Sequence, residues 1–142
     1  MQRWLWITRP EVYTTKPLRV HERFTWTCHA DSRPGDIALL YRAELFQDFS
    51  HVFRIESDPR HYPDLAAEFG SDTGCDCVLI AVLQCPVILA KIRKDTVLSR
   101  WPAALANCQG SAFPLEPLYW RAFLALSDPL DGAHLRSVGG SP

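Results

Sequence analysis

The stretch FTWTCHADSRPGDIALLYRA, Phe24 to Ala43, decides how the rest of this chain is read. Phe24, Trp26 and Cys28 alternate with Thr25 and Thr27, the two-residue period of a strand with one buried face. His29 to Ser32 is short and polar, and Pro34-Gly35-Asp36 is a turn signal. That turn launches Ile37 to Arg42, IALLYR, a second apolar strand. Strand–helix alternation is missing along the chain, so a doubly wound sheet is not expected.

Segments to either side repeat the strand character. Trp4 to Thr8 is aromatic and β-branched, and Pro10 stops it. His51 to Glu56 alternates again, and Cys75 to Gln84 is a long apolar strand that Cys85-Pro86 is expected to end. Asp64 to Phe69 reads as one or two helical turns, Lys91 to Trp101 as a short irregular helix, and Ala112 to Leu115 as a short strand. Leu118 to Leu126 carries apolar residues at helical spacing, with Pro117 at the first turn. The pattern predicts an α+β, mainly β fold: a curved, barrel-like sheet of five or six strands flanked by short helices. It is expected to fill one domain over residues 1–127, with a disordered tail over residues 128–142.

Composition narrows the function. The 142 residues are 47% hydrophobic and 22% charged, as in ordinary globular domains. No apolar run approaches the ~20 residues of a membrane span, and the N-terminal residues lack a signal-peptide pattern. A cytoplasmic location without membrane contact is the expectation. With a net charge of −1 the chain is no polycation, so nucleic-acid contact would be local. Its basic residues are twelve Arg and three Lys, a ratio that suits bidentate phosphate contacts but also a GC-rich genome.

The five cysteines are expected to be reduced and mostly buried. Cys75 and Cys77 would share one strand face, and no second pair stands at zinc spacing, so neither metal nor cofactor is expected. Glycine-rich phosphate loops, nucleophile elbows and zinc-hydrolase motifs are missing. Cys28 and His29, adjacent on a strand, point to opposite faces, which disfavours a nucleophile–base pair. A non-enzymatic role is the expectation. The alternative, a small hydrolase or base-modifying enzyme, would draw its acid and base from His29, Asp58, His61 and Lys91.

Five tryptophans are generous for this length. Trp120 suits a core position in the terminal helix, and Trp101 a packing lid. Trp26 fits two roles, core filler or one face of a pocket, because it stands where a strand opens into the polar loop His29 to Ser32. An aromatic face beside short donors and acceptors suits a flat, hydrogen-bonding ligand such as a nucleobase.

The opening WLWITRPEVY resembles that of EVE-domain proteins, a branch of the PUA-like superfamily related to YTH domains, which begin with a W-L-F-K-S-E-P-x-x-Y type of segment. Trp4, Leu5, Pro10 and Tyr13 match, while Trp6 and Thr8 replace the aromatic and the serine. FTWTCHADSRPGDIALLYRA is similar to the family's tryptophan strand, loop and G-D turn into an aliphatic strand. FRIESDPRHYPD and NCQGSAFPLEPLYWRAFLAL resemble its later strand and its closing loop, strand and helix. The likeness runs from Arg3 to about Leu126. The longer W-D-G-V-R-N pocket loop of many members is missing, and Arg9 stands in place of an acid.

The resemblance implies a reader that holds a flipped, often modified (methylated or hydroxymethylated) base from DNA or RNA in an aromatic cage. Mapped here, Trp26 would stack on the base and Thr8, Cys28 and His29 would meet its edge. Tyr62 or Phe69 would form the opposite wall, and Asp58 or Asp64 would accept from an amine. Arg9, Arg33 and Arg42, with the Gln109-Gly110-Ser111 turn, would face phosphate. Related modules are joined to nucleases or ATPases that restrict modified DNA. This sequence carries no such motif, so an effector would be a separate chain or a removed domain. A third reading is a protein-interaction module whose cage is filled by its own side chains.

Overall fold

The computed structural model describes residues 1–9, 18–65, 71–109 and 112–140. In chain order its elements are β1 (Arg3–Thr8), β2 (Arg23–Thr27), β3 (Ile37–Arg42), β4 (Asp48–Ile55), β5 (Arg60–His61), β6 (Thr73–Ile88), α1 (Leu89–Lys94), α2 (Pro102–Leu105), β7 (Ala112–Pro114), α3 (Pro117–Leu126) and α4 (Pro129–Gly139). The seven strands form one sheet in the order β2-β6-β4-β3-β1-β7, with β5 added beside β6. Only β1 and β3 run parallel; every other pairing is antiparallel. The mainly β architecture expected from the sequence is present, with one strand more.

The sheet curls strongly. In its order β2 and β1 stand four places apart, about 19 Å on a flat sheet at ~4.8 Å per strand. Yet the Trp26 ring of β2 packs on the Trp6 ring of β1, with centroids 6.3 Å apart. Strict alternation sorts the strands into two faces. Leu5, Leu39, Tyr41 and Phe49 pack outward beneath the helices with Trp101, Trp120 and Phe123. Trp4, Trp6, Trp26, Leu40, Phe53, Cys75, Cys77 and Leu79 fill the inner face of the curl.

β6 serves both faces because its register slips. Phe53 opposes Leu79 while Val52 opposes Ala81, so one extra residue turns the strand over. Leu79 therefore packs on the inner face and Ala81 on the outer. A second slip lies between Phe49, opposite Val87, and His51, opposite Val82. Pro86 sits in this irregularity, where its missing N–H breaks no ladder bond, and the strand continues to Ile88 instead of ending at Cys85-Pro86.

That irregularity also explains the main correction to the sequence reading. Residues 128–142 were expected to be disordered, but Pro129–Gly139 is a helix. Asp128 caps it by accepting from the Leu130 N–H at 3.0 Å. The Asp131 carboxylate accepts from the Gln84 and Cys85 N–H groups of the slipped segment, at 3.0 and 2.9 Å. At its far end Arg3 Nε donates to the Gly139 carbonyl at 2.8 Å. Gly139 is required there, since a Cβ would lie 2.7 Å from the Trp120 ring. Tertiary bonds, more than helix propensity, hold this segment. Among the described residues no helix is long and apolar enough to cross a membrane.

Candidate functional site

Trp4, Trp6 and Thr8 are alternate residues of β1 and share its inner face. Trp26 approaches from β2 and Phe53 from β4. The Trp6 and Trp26 indoles are parallel within 3°, and Phe53 leans on both, tilted 35° and 37° with centroids 5.6 and 5.5 Å away. Phe24 meets Trp26 and Phe53 edge-on. The result is an aromatic enclosure with two parallel walls and a slanted third side.

Its polar groups are unevenly satisfied. Trp4 Nε1 donates to Asp36 Oδ2 at 3.0 Å, and the same carboxylate accepts the N–H groups of Gln2 and Arg33 at 2.9 Å each. Among the described residues, by contrast, the Trp6 indole N–H and the Thr8 hydroxyl are buried and find no hydrogen-bond partner. Trp6 is 0% and Thr8 3% exposed. An orphaned buried donor costs about 1–3 kcal/mol, and such groups are few enough in folded proteins that each asks for a reason.

The residues expected from sequence distribute as follows. Trp26 lies in the enclosure but is 4% exposed, so its face is covered. Cys28, just beyond β2, neighbours Cys75 and Ser32. The hydrogen bond with Cys75 draws the Cys28 thiol down against the opposing effect of burial, and pushes Cys75 up. Burial first, then nearby Asp76, raises Cys77, so it is an inert thiol. The His29 ring stacks on Trp4 at 4.7 Å, with its Nδ1 accepting from the Asp31 N–H at 3.0 Å.

Tyr62 does not form the opposite wall. Its hydroxyl reaches Asp76 at 3.4 Å, and Asp76 points from β6 to the face opposite Cys75 and Cys77. Trp6 occupies the place facing Trp26. Asp58 is exposed on the loop after β4. Arg42 is not open to phosphate: its Nε and an Nη hold Asp48 at 2.8 and 2.7 Å, and the guanidinium covers the Phe46 ring. Arg33 is exposed, with one Nη bound to the carbonyls of Ala30 and Ser32. Arg9 is exposed at the end of β1. Phe69 and Ser111 lie outside the described residues. The acid–base set is not assembled, because His61 pairs with Asp72 at 3.2 Å and Lys91 is exposed on α1.

Sequence reasoning missed Trp6, Phe53 and Asp36. Alternation places Trp6 on the face of Trp4, but its meeting with Trp26 depends on the curl. Asp36 reads as a turn residue, whereas it anchors Trp4. His51 was also missed. It opposes Leu40 in the ladder, its Nδ1 lies 2.6 Å from Ser50 Oγ, and burial, then the Arg42 charge, lowers it to about 4. A separate groove of about 690 Å³ runs between β6, residues 20–21 and α4. Among the described residues the one carboxylate lining it, Asp131, is committed to backbone N–H groups.

No protein-family model matches the chain, and no curated protein matches it in sequence. Solved structures do share its fold. A protein from Rhodopseudomonas palustris (Rpa0253) is 19% identical, with a TM-score of 0.73 over 89% of this chain and 93% of its own. Human THYN1, solved in complex with DNA containing 5-methylcytosine, is 13% identical, with a TM-score of 0.66 over 89% of this chain and 97% of its own. An ASCH protein from Zymomonas mobilis is more distant, 8% identical with a TM-score of 0.58, over 89% of this chain and 97% of its own. The chain therefore shares the α+β fold of these structures, the PUA-like architecture that the sequence resemblance implied.

Proposed function

We propose that this chain is a non-enzymatic reader of a modified nucleobase, flipped out of DNA and held against Trp26 on the inner face of the sheet. The observation that carries the reading is the enclosure of Trp6, Trp26 and Phe53. Flipping a base costs a few kcal/mol of unstacking, and stacking on one aromatic ring recovers about 1–3 kcal/mol. A methyl group that fills an apolar corner adds roughly 1–3 kcal/mol of discrimination. That human THYN1, of the same fold, has been solved with 5-methylcytosine DNA supports DNA as the polymer and a methylated pyrimidine as the base.

The enclosure is closed in the free protein. A base between two ring faces needs about 7 Å, two contacts of ~3.5 Å, and the indole centroids are 6.3 Å apart. Binding therefore parts the rings or swings Trp26 aside. Arg33 and Arg9 are the phosphate contacts in this reading. With a net charge of −1 the chain should bind plain duplex weakly. A restriction role would pass the signal to an effector on another chain.

The burial of Trp26 favours a second reading, an interaction module whose cage is filled by its own side chains. Tryptophan fluorescence separates the two during titration with oligonucleotides carrying plain, 5-methylated and 5-hydroxymethylated cytosine. Quenching that prefers one modified base and disappears in a folded Trp26→Ala variant supports the reader. No quenching by any oligonucleotide supports the self-filled module.

A further inference from the structure

We infer that the open edge of β6 between Leu79 and Gln84 is a docking site for a partner protein, which adds an extended segment of apolar and acidic side chains there as a further strand. On one side β6 is paired with β4 through this stretch, Val52 opposite Ala81 and His51 opposite Val82. On the other side the ladder with β2 stops at Arg23 and Val78. Two last bonds follow: the His21 N–H donates to the Leu79 carbonyl at 2.8 Å, and the Leu79 N–H to the Glu22 carbonyl at 3.1 Å. From Gln84 onward the Asp131 carboxylate takes the backbone N–H groups. Among the described residues no strand covers residues 80–83 between those limits.

The groove of about 690 Å³ between β6, residues 20–21 and α4 follows this edge. Successive strand residues point to opposite faces, yet Ala81 and Val82 both line the groove, so it runs along the strand's edge and not over one face. Val20 and Leu130, on its two walls, are exposed apolar side chains, as is Val82. Leu130, His134 and Val138 recur every four residues, so a single face of α4 is turned to the groove. Sheet edges are commonly blunted by lysine or proline, and Ile80-Ala81-Val82-Leu83 contains neither. Apolar side chains left uncovered on such an edge suit the addition of a strand from another chain.

Shape and charge choose the occupant. The edge is recessed between two walls, so a second copy would bring a recess against a recess, whereas a twofold contact needs a self-complementary surface. A single extended segment is narrow enough to enter, and at ~3.3 Å per residue a few residues of it run the length of the open stretch. The floor is aliphatic, while the rim holds a guanidinium and two imidazoles. Arg54 of β4 spends one Nη on Glu56 at 3.2 Å, and His21 and His134 stand on the two walls. Arg23 continues the row beyond Val78. Asp131 is saturated by Gln84 and Cys85, and Glu22 and Glu56 stand outside the lining. Acidic side chains alternating with aliphatic ones complement this groove; basic ones oppose its rim.

The test titrates the isotope-labelled full chain with a blocked hexapeptide alternating glutamate and valine, and follows the amide shifts. Shifts are expected at residues 80–83, His21 and His134. Replacing glutamate by lysine, or methylating every backbone nitrogen of the peptide, should weaken binding at least about tenfold, the second because an added strand needs its N–H donors. Leu130→Glu sets a carboxylate on the groove wall, in a first helical turn that favours one. It should weaken the glutamate peptide about tenfold at an unchanged melting temperature, and Arg54→Gln about threefold. No shift at residues 80–83 with the glutamate peptide at millimolar concentration overturns the inference. Equal binding of the lysine or methylated peptide does so too, as does wild-type binding by Leu130→Glu. Shifts there that grow with protein concentration alone give the edge to a second copy, and shifts with a plain oligonucleotide give it to nucleic acid; either overturns the inference. The base reader is tested separately by the tryptophan titration and stands or falls without this edge.

Discussion

The two faces of the sheet treat the same residue type in opposite ways. On the helix-covered face, Trp101 Nε1 donates to the Pro114 carbonyl at 3.2 Å and Trp120 Nε1 to the Gly140 carbonyl at 2.9 Å. On the inner face, Trp6 is as deeply buried, yet its N–H has no partner among the described residues. Buried tryptophans usually find one. The outer face is thus finished as a structural core, while the inner face retains unspent donors beside a second indole. The contrast separates donors committed to the fold from a donor that is not.

The largest test of that contrast is Trp120→Ala. It should cost about 5 kcal/mol, the upper range for a fully buried large aromatic, and should loosen α4. The Trp120 ring packs against Gly139 and beneath the Arg3 guanidinium, 5.2 Å away. Chemical denaturation reads the loss, and hydrogen exchange over residues 129–139 should rise first. A variant that stays within 1–2 kcal/mol of wild type would show the outer face to be less finished than its hydrogen bonds indicate.

Asp36→Ala should follow at about 4 kcal/mol, since three donors lose a charged acceptor together. It also turns Trp4 into a second orphan like Trp6, which erases the difference between neighbours on one face. Denaturant midpoints at unchanged slope measure it.

Acid tests a third polar group. His51 is held near 4 by burial and then by Arg42, against an ordinary value of 6.5. Between these values the unfolded chain takes up a proton that the folded chain refuses. Stability is therefore full above about pH 6.5 and falls by up to ~3 kcal/mol as the pH drops to about 4. A His51→Asn variant should lose that slope, and an unchanged slope would assign it to another group.

How much of this was legible in the residues follows from the range of each interaction. The alternation around Trp26 and the Pro34-Gly35-Asp36 turn are local, and β2 and β3 stand where those signals put them; Gly35 takes the positive φ of 92° that a turn glycine allows. The pairing of Arg42 with Asp48 is not local in the same sense, because it depends on how β3 hands over to β4. The tail misled the reading because PLDGAHLRSVGG combines Pro, three Gly and few apolar residues. What orders it is a carboxylate meeting two N–H groups more than forty residues back in sequence, which no window shows. Likewise Trp6 and Phe53 were invisible as site residues, since only the curl of the sheet brings β1, β2 and β4 to one point.

A matched pair of substitutions gives the finest test of the two faces. Trp101→Phe and Trp6→Phe delete the same atoms from side chains that are both 0% exposed, so their transfer and cavity costs are similar. They differ in the hydrogen bond. Trp101→Phe gives up a bond to the Pro114 carbonyl, whereas Trp6→Phe removes a donor that had nothing to lose. Trp101→Phe should therefore be the more destabilising by about 2 kcal/mol, the sum of a lost bond and a relieved orphan. Equal costs would mean that Trp6 finds a partner in solution, and the two faces would then be finished alike. A gap of the expected sign, measured without any ligand, would establish that the inner face carries a standing cost in the free protein.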